Sequence, residues 1–133
     1  MTSKEKLLET LKQEMEKDQS LPLLESNLVF GEGPAKASLM FIGEAPGKKE
    51  DETGRPFVGR SGQILDKAIS TLGLERKDVY ITNIVKRRPP DNRDPLEEEI
   101  FLYSRYLKKQ IKIIKWQVPI SSDTFSSNST FGI

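Results

Sequence analysis

Two short apolar segments, each followed by a loop and a helix-like stretch, constrain the fold of this chain most strongly. The first is Leu39–Ile42 (LMFI), which Gly43 ends, and the second is Val79–Val85 (VYITNIV), which is rich in β-branched and aromatic residues. Residues 61–72 and 94–114 follow them with apolar side chains at helical spacing. The order strand, loop, helix, strand, loop, helix predicts an α/β fold with a parallel sheet.

Local signals place the helix ends. Ser61 is positioned to cap the helix that follows the first strand, and Pro95 fits the first position of the helix that follows the second. A further amphipathic helix is predicted over residues 3–17, where Thr2 and Glu5 form a capping box. We therefore expect three helices whose starts are encoded locally.

A sheet of this kind binds ligands beyond the carboxyl ends of its strands. Two segments of this chain lie there, residues 43–62 after the first strand and residues 83–93 around the end of the second. Seven of the nine glycines lie between Gly31 and Gly62. Such a density indicates tight turns or a close approach of the backbone to a ligand. The search for a functional site therefore starts with these two segments.

The composition changes abruptly near the C-terminus. Residues 1–116 carry 40 of the 41 charged side chains, whereas residues 117–133 carry only Asp123 beside seven Ser and Thr. The sheet needs a further strand, but the apolar segment Trp116–Ile120 contains Pro119, which disfavours a central strand. We therefore expect an incomplete domain over residues 1–116. The tail is either a disordered polar segment or foreign to the domain.

The composition also excludes several kinds of chemistry. The chain has neither Cys nor His, which excludes disulfides, thiolate metal sites, cysteine nucleophiles and imidazole acid–base catalysis. The net charge of +1 predicts no general attraction to nucleic acid or membrane, so that binding would need a local patch. No segment approaches the ~20 apolar residues of a membrane span, and the charged N-terminus lacks the apolar region of a signal peptide. We expect a cytoplasmic protein without a membrane partner.

The loop after the first predicted strand contains candidate functional groups. Residues 43–47 (GEAPG) present the Glu44 carboxylate, which either orients a water molecule or is a solvated side chain in an ordinary turn. Phe57 lies among turn-forming residues, where it either stacks on a planar base or folds back onto the core. The helix N-terminus at Ser61 offers N–H groups suited to phosphate. The acidic run 50–52 fits a solvated loop better than a metal site.

The second predicted strand and its following loop carry an amide and several cations. Asn83 offers a hydrogen-bond donor and an acceptor together, as needed to read the edge of a base, although the residues alone favour a polar side chain on an open strand face. Lys86, Arg87 and Arg88 are candidate contacts to DNA phosphates, with a solvated basic loop as the alternative.

Taken in order, three stretches make the chain resemble the iron–sulfur type of uracil-DNA glycosylase (family 4). They are FGEG, GEAPGKKEDETGRPFVGRSGQILD and VYITNIVKRRPPDNRDP, within Phe30–Pro95, and a weaker likeness continues to about Lys115. The resemblance implies a three-layer α/β/α sandwich around a parallel sheet. It also implies that the partner is uracil-containing DNA, and that the N-glycosidic bond of uracil is hydrolysed after the base is flipped out of the helix.

The resemblance also implies roles for single residues. Glu44, flanked by Gly43 and Ala45, belongs to the motif that activates water and contacts uracil. Phe57 would stack on the flipped base, and Asn83 would hydrogen-bond its edge and discriminate uracil from cytosine. A carboxylate near the sugar would help an oxocarbenium-like species to form.

Two features that the resemblance implies are missing from this sequence. The family holds a [4Fe-4S] cluster through four cysteines, which fall near Asp18 and Leu21 and at Arg87 and Tyr103, so we expect no such cofactor. The family also uses a histidine to stabilise the departing uracil anion, and the chain has none.

These departures leave three hypotheses for function. The first is a uracil-DNA glycosylase-like enzyme of base-excision repair with impaired activity. The second is a non-catalytic relative that binds DNA or another partner. The third is an unrelated nucleotide-binding domain, which the absence of a GxxxxGK[ST] pattern disfavours. The sequence specifies no oligomeric state.

Overall fold

Four α-helices and three strands make up the part of the chain that the structure describes. This part consists of residues 2–114 and the backbone of residues 118–120 in a computed structural model. The elements are α1 (Ser3–Lys17), β1 (Leu39–Gly43), α2 (Lys48–Thr53), α3 (Arg60–Thr71), β2 (Tyr80–Asn83), α4 (Glu97–Ile114) and β3 (Val118–Ile120). Short 3-10 turns lie at Arg76–Asp78 and Pro90–Asn92.

The three strands form one parallel sheet in the order β2-β1-β3. In the register between β1 and β2, Met40 pairs with Tyr80 and Gly43 pairs with Asn83. Beyond β2, Glu32 forms an antiparallel bridge with Ile81 through N–H···O distances of 2.9 and 2.8 Å. The predicted parallel sheet is confirmed, and both segments singled out from the sequence begin at its carboxyl edge.

Alternation along β1 divides the interior into two cores. Met40 and Ile42 belong to the core covered by α1 and α4, whereas Phe41 between them belongs to the core covered by α3. The first core includes Leu8, Leu11, Met15, Tyr103, Leu107 and Ile114, and the second includes Phe57, Leu65, Ile69, Val79 and Ile81. Helices therefore cover both faces of the sheet, which confirms the α/β sandwich, because successive strand residues point to opposite faces.

The predicted helix starts are confirmed in part. At α1, the Glu5 N–H donates to Thr2 Oγ1 and the Thr2 N–H donates to Glu5 Oε1, which is the expected capping box. At α3, the helix begins at Arg60 with Gly59 as its N-cap and without a side-chain cap. The prediction that Ser61 caps this helix is therefore wrong, because Ser61 already lies inside its first turn.

Helix α4 also begins later than the sequence suggests. Its first residue is Glu97, so that Pro95 precedes the helix rather than occupying its first position. The Glu99 carboxylate accepts a hydrogen bond from the Leu96 N–H at 2.8 Å and forms an ion pair with the Arg93 guanidinium at 2.9 Å. This anchor supplies an acceptor for a free N–H at the helix start and so determines where α4 begins.

Pro119 predicts a poor strand at β3. The structure places the backbone of Val118–Ile120 parallel to β1 at an edge of the described sheet, where a proline is tolerated. The sheet thus includes three residues beyond the predicted boundary at residue 116. Residues 115–117 and 121–133, which hold the rest of the predicted tail, lie outside the described residues. Within the described helices, none is long and apolar enough to cross a membrane.

Candidate base-binding pocket

A cavity of about 160 Å³ opens at the carboxyl ends of β1 and β2. Its lining residues are Glu44, Ala45, Glu50, Phe57, Ser61, Ile64 and Asn83. The structure therefore brings together residues that the sequence placed in two separate loops. Glu50 and Ile64 are additions, since the sequence pattern suggested neither as a site residue.

Gly43 allows two of the candidate groups to converge. It is the last residue of β1, and its register partner is Asn83. A Cβ atom on Gly43 would lie 2.5 Å from Asn83 Oδ1 and 2.5 Å from Phe57 Cζ. Because any side chain would collide with both groups, glycine is required here for the phenyl ring and the amide to meet at the end of β1.

Asn83 presents its side-chain amide to this cavity. The residue is only 3% exposed, and it lines the cavity. An amide group carries both a hydrogen-bond donor and an acceptor. The position therefore offers one donor and one acceptor to a planar polar ligand.

Phe57 is held in a strained backbone conformation. Its φ of +51° lies in the left-handed region, which costs a non-glycine residue about 1–2 kcal/mol. Arg76 Nη1 donates to the carbonyl oxygen of Phe57 at 2.8 Å, and Nη2 donates to that of Pro56. The ring packs in the core with Phe41 and also lines the cavity. Phe57 is thus folded back onto the core and also exposes part of its surface to the cavity. Its stacking on a base stays a prediction.

Glu50 organises the loop that carries Phe57. Its Oε1 accepts the Gly47 N–H at 2.9 Å, and its Oε2 accepts the N–H groups of Val58 and Gly59, each at 2.9 Å. Burial raises the pKa of this carboxyl, but the N–H donors of Gly59 and Val58, with other backbone N–H groups, outweigh it, and the pKa lies below its ordinary value. The interpretation of residue 50 as part of a solvated acidic loop is wrong, because its side chain is 5% exposed. The G-x-x-E spacing from Gly47 resembles a capping box and is the signal that could have identified it.

The cationic run after β2 differs most from expectation. Lys86 is fully buried, and its Nζ donates to Thr82 Oγ1 and to the Asn83 carbonyl oxygen, each at 2.6 Å. Arg87 is also buried and donates to the hydroxyl of Tyr103. The expectation that these two side chains contact phosphate is corrected, because both are directed into the protein.

Two candidate phosphate contacts remain accessible. Arg88 is half-buried and donates to Asn92 Oδ1 at 2.7 Å. Ser61 is exposed and lies in the wall of the cavity, near the N-terminus of α3. Ser61 lines the cavity, whereas Arg88 is not among its lining residues, and phosphate contact stays a prediction for both.

Comparison with known proteins identifies the family of the chain. The family model described as the Uracil DNA glycosylase superfamily matches residues 30–120. The chain belongs to the uracil-DNA glycosylase superfamily. The matched range includes every residue that lines the cavity.

Relatives of high identity are type-4 enzymes of this superfamily. The type-4 uracil-DNA glycosylase of Saccharolobus solfataricus is 52% identical over 106 residues, which cover 79% of this chain and 49% of that protein. That of Pyrobaculum aerophilum is 56% identical over 89 residues, covering 67% and 45%, and that of Thermotoga maritima is 42% identical over 123 residues, covering 91% and 64%. The chain thus spans about half the length of the curated relatives it matches.

The residues at the cluster positions that the family resemblance implies do not fit iron ligation. Two of the four positions hold Arg87 and Tyr103, and Arg87 Nη1 donates to the Tyr103 hydroxyl at 2.9 Å. The others, Asp18 and Leu21, supply one carboxylate and one apolar side chain. Among the described residues, no group of three or more His, Cys, Asp or Glu side chains could hold a metal ion. A guanidinium is a cation with no acceptor lone pair, so it opposes a metal rather than binding one.

Replacing Glu50 by Gln tests whether this carboxylate holds the pocket loop together. The amide keeps the size but directs an NH2 group at N–H donors, so we expect a loss of about 1–3 kcal/mol in the free energy of unfolding at pH 7. Urea unfolding measures this loss, with Glu52→Gln as the control, since Glu52 is exposed on the same helix. Because the pKa of Glu50 is lowered, its stabilisation is present above its ordinary pKa of 4.5 and is lost as the pH falls through the lower value of the folded protein. Equal midpoints for Glu50→Gln and Glu52→Gln would contradict the assignment.

Lys86 predicts a specific pH dependence of stability. Burial lowers its pKa well below the ordinary value of 10.5, and two acceptors match the two N–H groups of a neutral amine. The unfolded chain then binds more protons at this position than the folded chain, so stability rises with pH towards 10.5. Urea unfolding between about pH 7 and pH 9.5 should show this rise, and Lys86→Met should remove it while the exposed Lys67→Met keeps it. The same slope in wild type and Lys86→Met would rule the idea out.

Proposed function

We propose that this chain binds a uracil base flipped out of DNA in the pocket at the ends of β1 and β2 and hydrolyses its N-glycosidic bond. One observation carries the proposal. The Phe57 ring and the Asn83 amide converge at Gly43, and the next residue, Glu44, lines the same cavity. A planar surface, a paired donor and acceptor, and a carboxylate therefore surround one space.

Base recognition rests on Phe57 and Asn83. Flipping a base costs a few kcal/mol, and stacking on an aromatic ring offsets about 1–3 kcal/mol of it. The Asn83 amide can donate to O4 of uracil and accept from its N3–H. Cytosine has an amino group at position 4 and no hydrogen on N3, so it would oppose donor to donor and acceptor to acceptor. Such a mismatch leaves buried polar groups unpaired, which is the strongest form of rejection.

Hydrolysis rests on Glu44. In the reaction the C1′–N1 bond breaks, its electron pair leaves with the base, and a water oxygen adds to C1′. The Glu44 carboxylate is suited to orient that water, to take up its proton and to stabilise the positive charge on the sugar. Because the chain contains no histidine, no imidazole stabilises the departing anion, and we expect slow excision relative to binding.

We propose fewer DNA-contact residues than the sequence suggested. Ser61 and Arg88 are the candidates for phosphate contact, since both border solvent, whereas Lys86 and Arg87 are buried. We also propose that the chain works without an iron–sulfur cluster, because the four corresponding positions hold no thiolate.

A non-catalytic base-binding protein is the second candidate. The observation that favours it is the absence of histidine from the sequence, because no imidazole can then stabilise the departing base. The two candidates share the pocket and differ only in whether the glycosidic bond is cut.

Glu44→Ala separates these candidates. Oligonucleotides with a single uracil, single- and double-stranded, are incubated with the chain and cleaved with alkali to reveal excised sites. We expect excision by the wild type and a loss of at least about 100-fold in Glu44→Ala, since general base catalysis contributes that much. Glu52→Ala serves as the control for removing a nearby acidic side chain. Uracil-dependent binding without excision would select the non-catalytic candidate, and neither binding nor excision would reject both.

Asn83→Asp tests base recognition. The carboxylate only accepts hydrogen bonds, so it loses the donor to uracil O4 and gains an acceptor for the amino group of cytosine. We expect the preference for uracil over cytosine to fall by at least about tenfold, measured as the ratio of affinities for matched single-stranded oligonucleotides. An unchanged ratio would show that Asn83 does not read the base.

A further inference from the structure

Three distant segments meet at the hydroxyl group of Tyr103. This residue lies on α4, Arg87 lies in the loop after β2, and Pro22 lies in the loop after α1. Arg87 Nη1 donates to the Tyr103 hydroxyl oxygen at 2.9 Å, and this hydroxyl donates to the Pro22 carbonyl oxygen at 2.8 Å. One phenol therefore connects positions that are 16 and 81 residues away in the sequence.

The chain of hydrogen bonds lies in the protein interior. Tyr103 is 0% exposed and Arg87 is 5% exposed. Burial raises the pKa of Tyr103, and the neighbouring Arg87 offsets this only in part, so the phenol stays neutral and keeps its proton for Pro22. Hydrogen bonds between buried groups, one of them charged, are stronger than exposed ones.

Further contacts join the same two loops. Ser26 Oγ donates to the Arg88 carbonyl oxygen at 2.7 Å, and the Val29 N–H donates to that of Lys86 at 2.8 Å. Leu21 is buried in the same core as Tyr103. The loop between α1 and β1 is thus attached to the loop after β2 on both sides of Arg87.

We propose that the Arg87–Tyr103–Pro22 hydrogen bonds form a metal-free cross-link in the place where the family resemblance implies an iron–sulfur cluster. Two of the four cluster positions bond directly to each other, and a third, Leu21, belongs to the same hydrophobic core as Tyr103. The Nε atom of Arg87 is buried and has no partner among the described residues, so the guanidinium occupies this space at some cost. A cation and a filled apolar core exclude a cluster from the position.

The cross-link also supports the pocket. Arg87 follows Lys86, whose Nζ donates to the Asn83 carbonyl oxygen. The same short segment therefore carries the amide that faces the pocket and the side chain that connects the loop to α4. The proposal assigns to hydrogen bonds a cross-linking function that needs neither iron nor a reducing environment, and it stands whether or not the chain excises uracil.

The first test is the metal content of the full 133-residue chain. We expect no stoichiometric iron or acid-labile sulfide after expression with iron supplied, and no change in the urea midpoint when an iron chelator is added. Stoichiometric iron and sulfide, or a midpoint that falls with the chelator, would overturn the proposal.

The second test is a pair of double-mutant cycles on urea unfolding. Arg87→Met and Tyr103→Phe remove the same hydrogen bond, so each should lower the midpoint and their combination should lower it by less than the sum. Tyr106→Phe is the matched control, because it removes a different hydroxyl of α4, which donates to Asp18. Its effect should add to that of Arg87→Met. Additive effects of Arg87→Met and Tyr103→Phe would contradict a cross-link.

A third readout decides the matter if Arg87→Met does not fold. Tyr103→Phe keeps the buried ring and removes only the hydroxyl, so the fold is retained. Hydrogen exchange of the Val29 amide, which is bonded to the Lys86 carbonyl, then reports whether the two loops separate. We expect faster exchange in Tyr103→Phe than in Tyr106→Phe, and equal rates in both variants would overturn the proposal.

Discussion

The buried carboxylate of Glu50 is the interaction on which the pocket depends. It accepts the Gly47 N–H at the start of α2 and the N–H groups of Val58 and Gly59 just before α3, and so it joins the starts of the two helices. Phe57 lies between this anchor and the guanidinium of Arg76, which holds its carbonyl oxygen. These two anchors stabilise the strained conformation of Phe57 and direct its ring at once to the core and to the cavity.

The parallel pairing of β1 and β2 supplies the other half of the site. Because the register places Gly43 beside Asn83, the amide reaches the open end of β1, where a glycine leaves room for it. Lys86 then holds the main chain of Asn83 from within the protein. A lysine that the pattern of the sequence assigned to phosphate contact thus supports the residue that we propose to read the base.

Local signals explain what the sequence could predict and contacts between distant residues explain the rest. Short sequence patterns predict the capping box of α1 and the two apolar strands. The order of the strands and the family resemblance predict that Glu44, Phe57 and Asn83 lie at one pocket. The burial of Glu50 and Lys86 does not follow from such patterns. Glu50 is buried because the loop after α2 brings the N–H groups of Val58 and Gly59 back to its carboxylate. Lys86 is buried against the hydroxyl of Thr82, which itself donates to the carbonyl oxygen of the distant Phe30. A run of basic residues shows where these side chains lie in the sequence, but it does not show whether the folded interior contains oxygen acceptors for them.

The central claim is that the convergence of Phe57 and Asn83 at Gly43 forms the binding site for uracil, and one measurement tests it directly. Two-dimensional NMR of the full chain is recorded while single-stranded oligonucleotides are added that differ only in carrying uracil or cytosine at one position. We predict that uracil selectively shifts the side-chain NH2 signal of Asn83 and the backbone amides of Val58 and Gly59. Equal shifts with both oligonucleotides, or uracil-specific shifts only at residues remote from this pocket, would contradict the account.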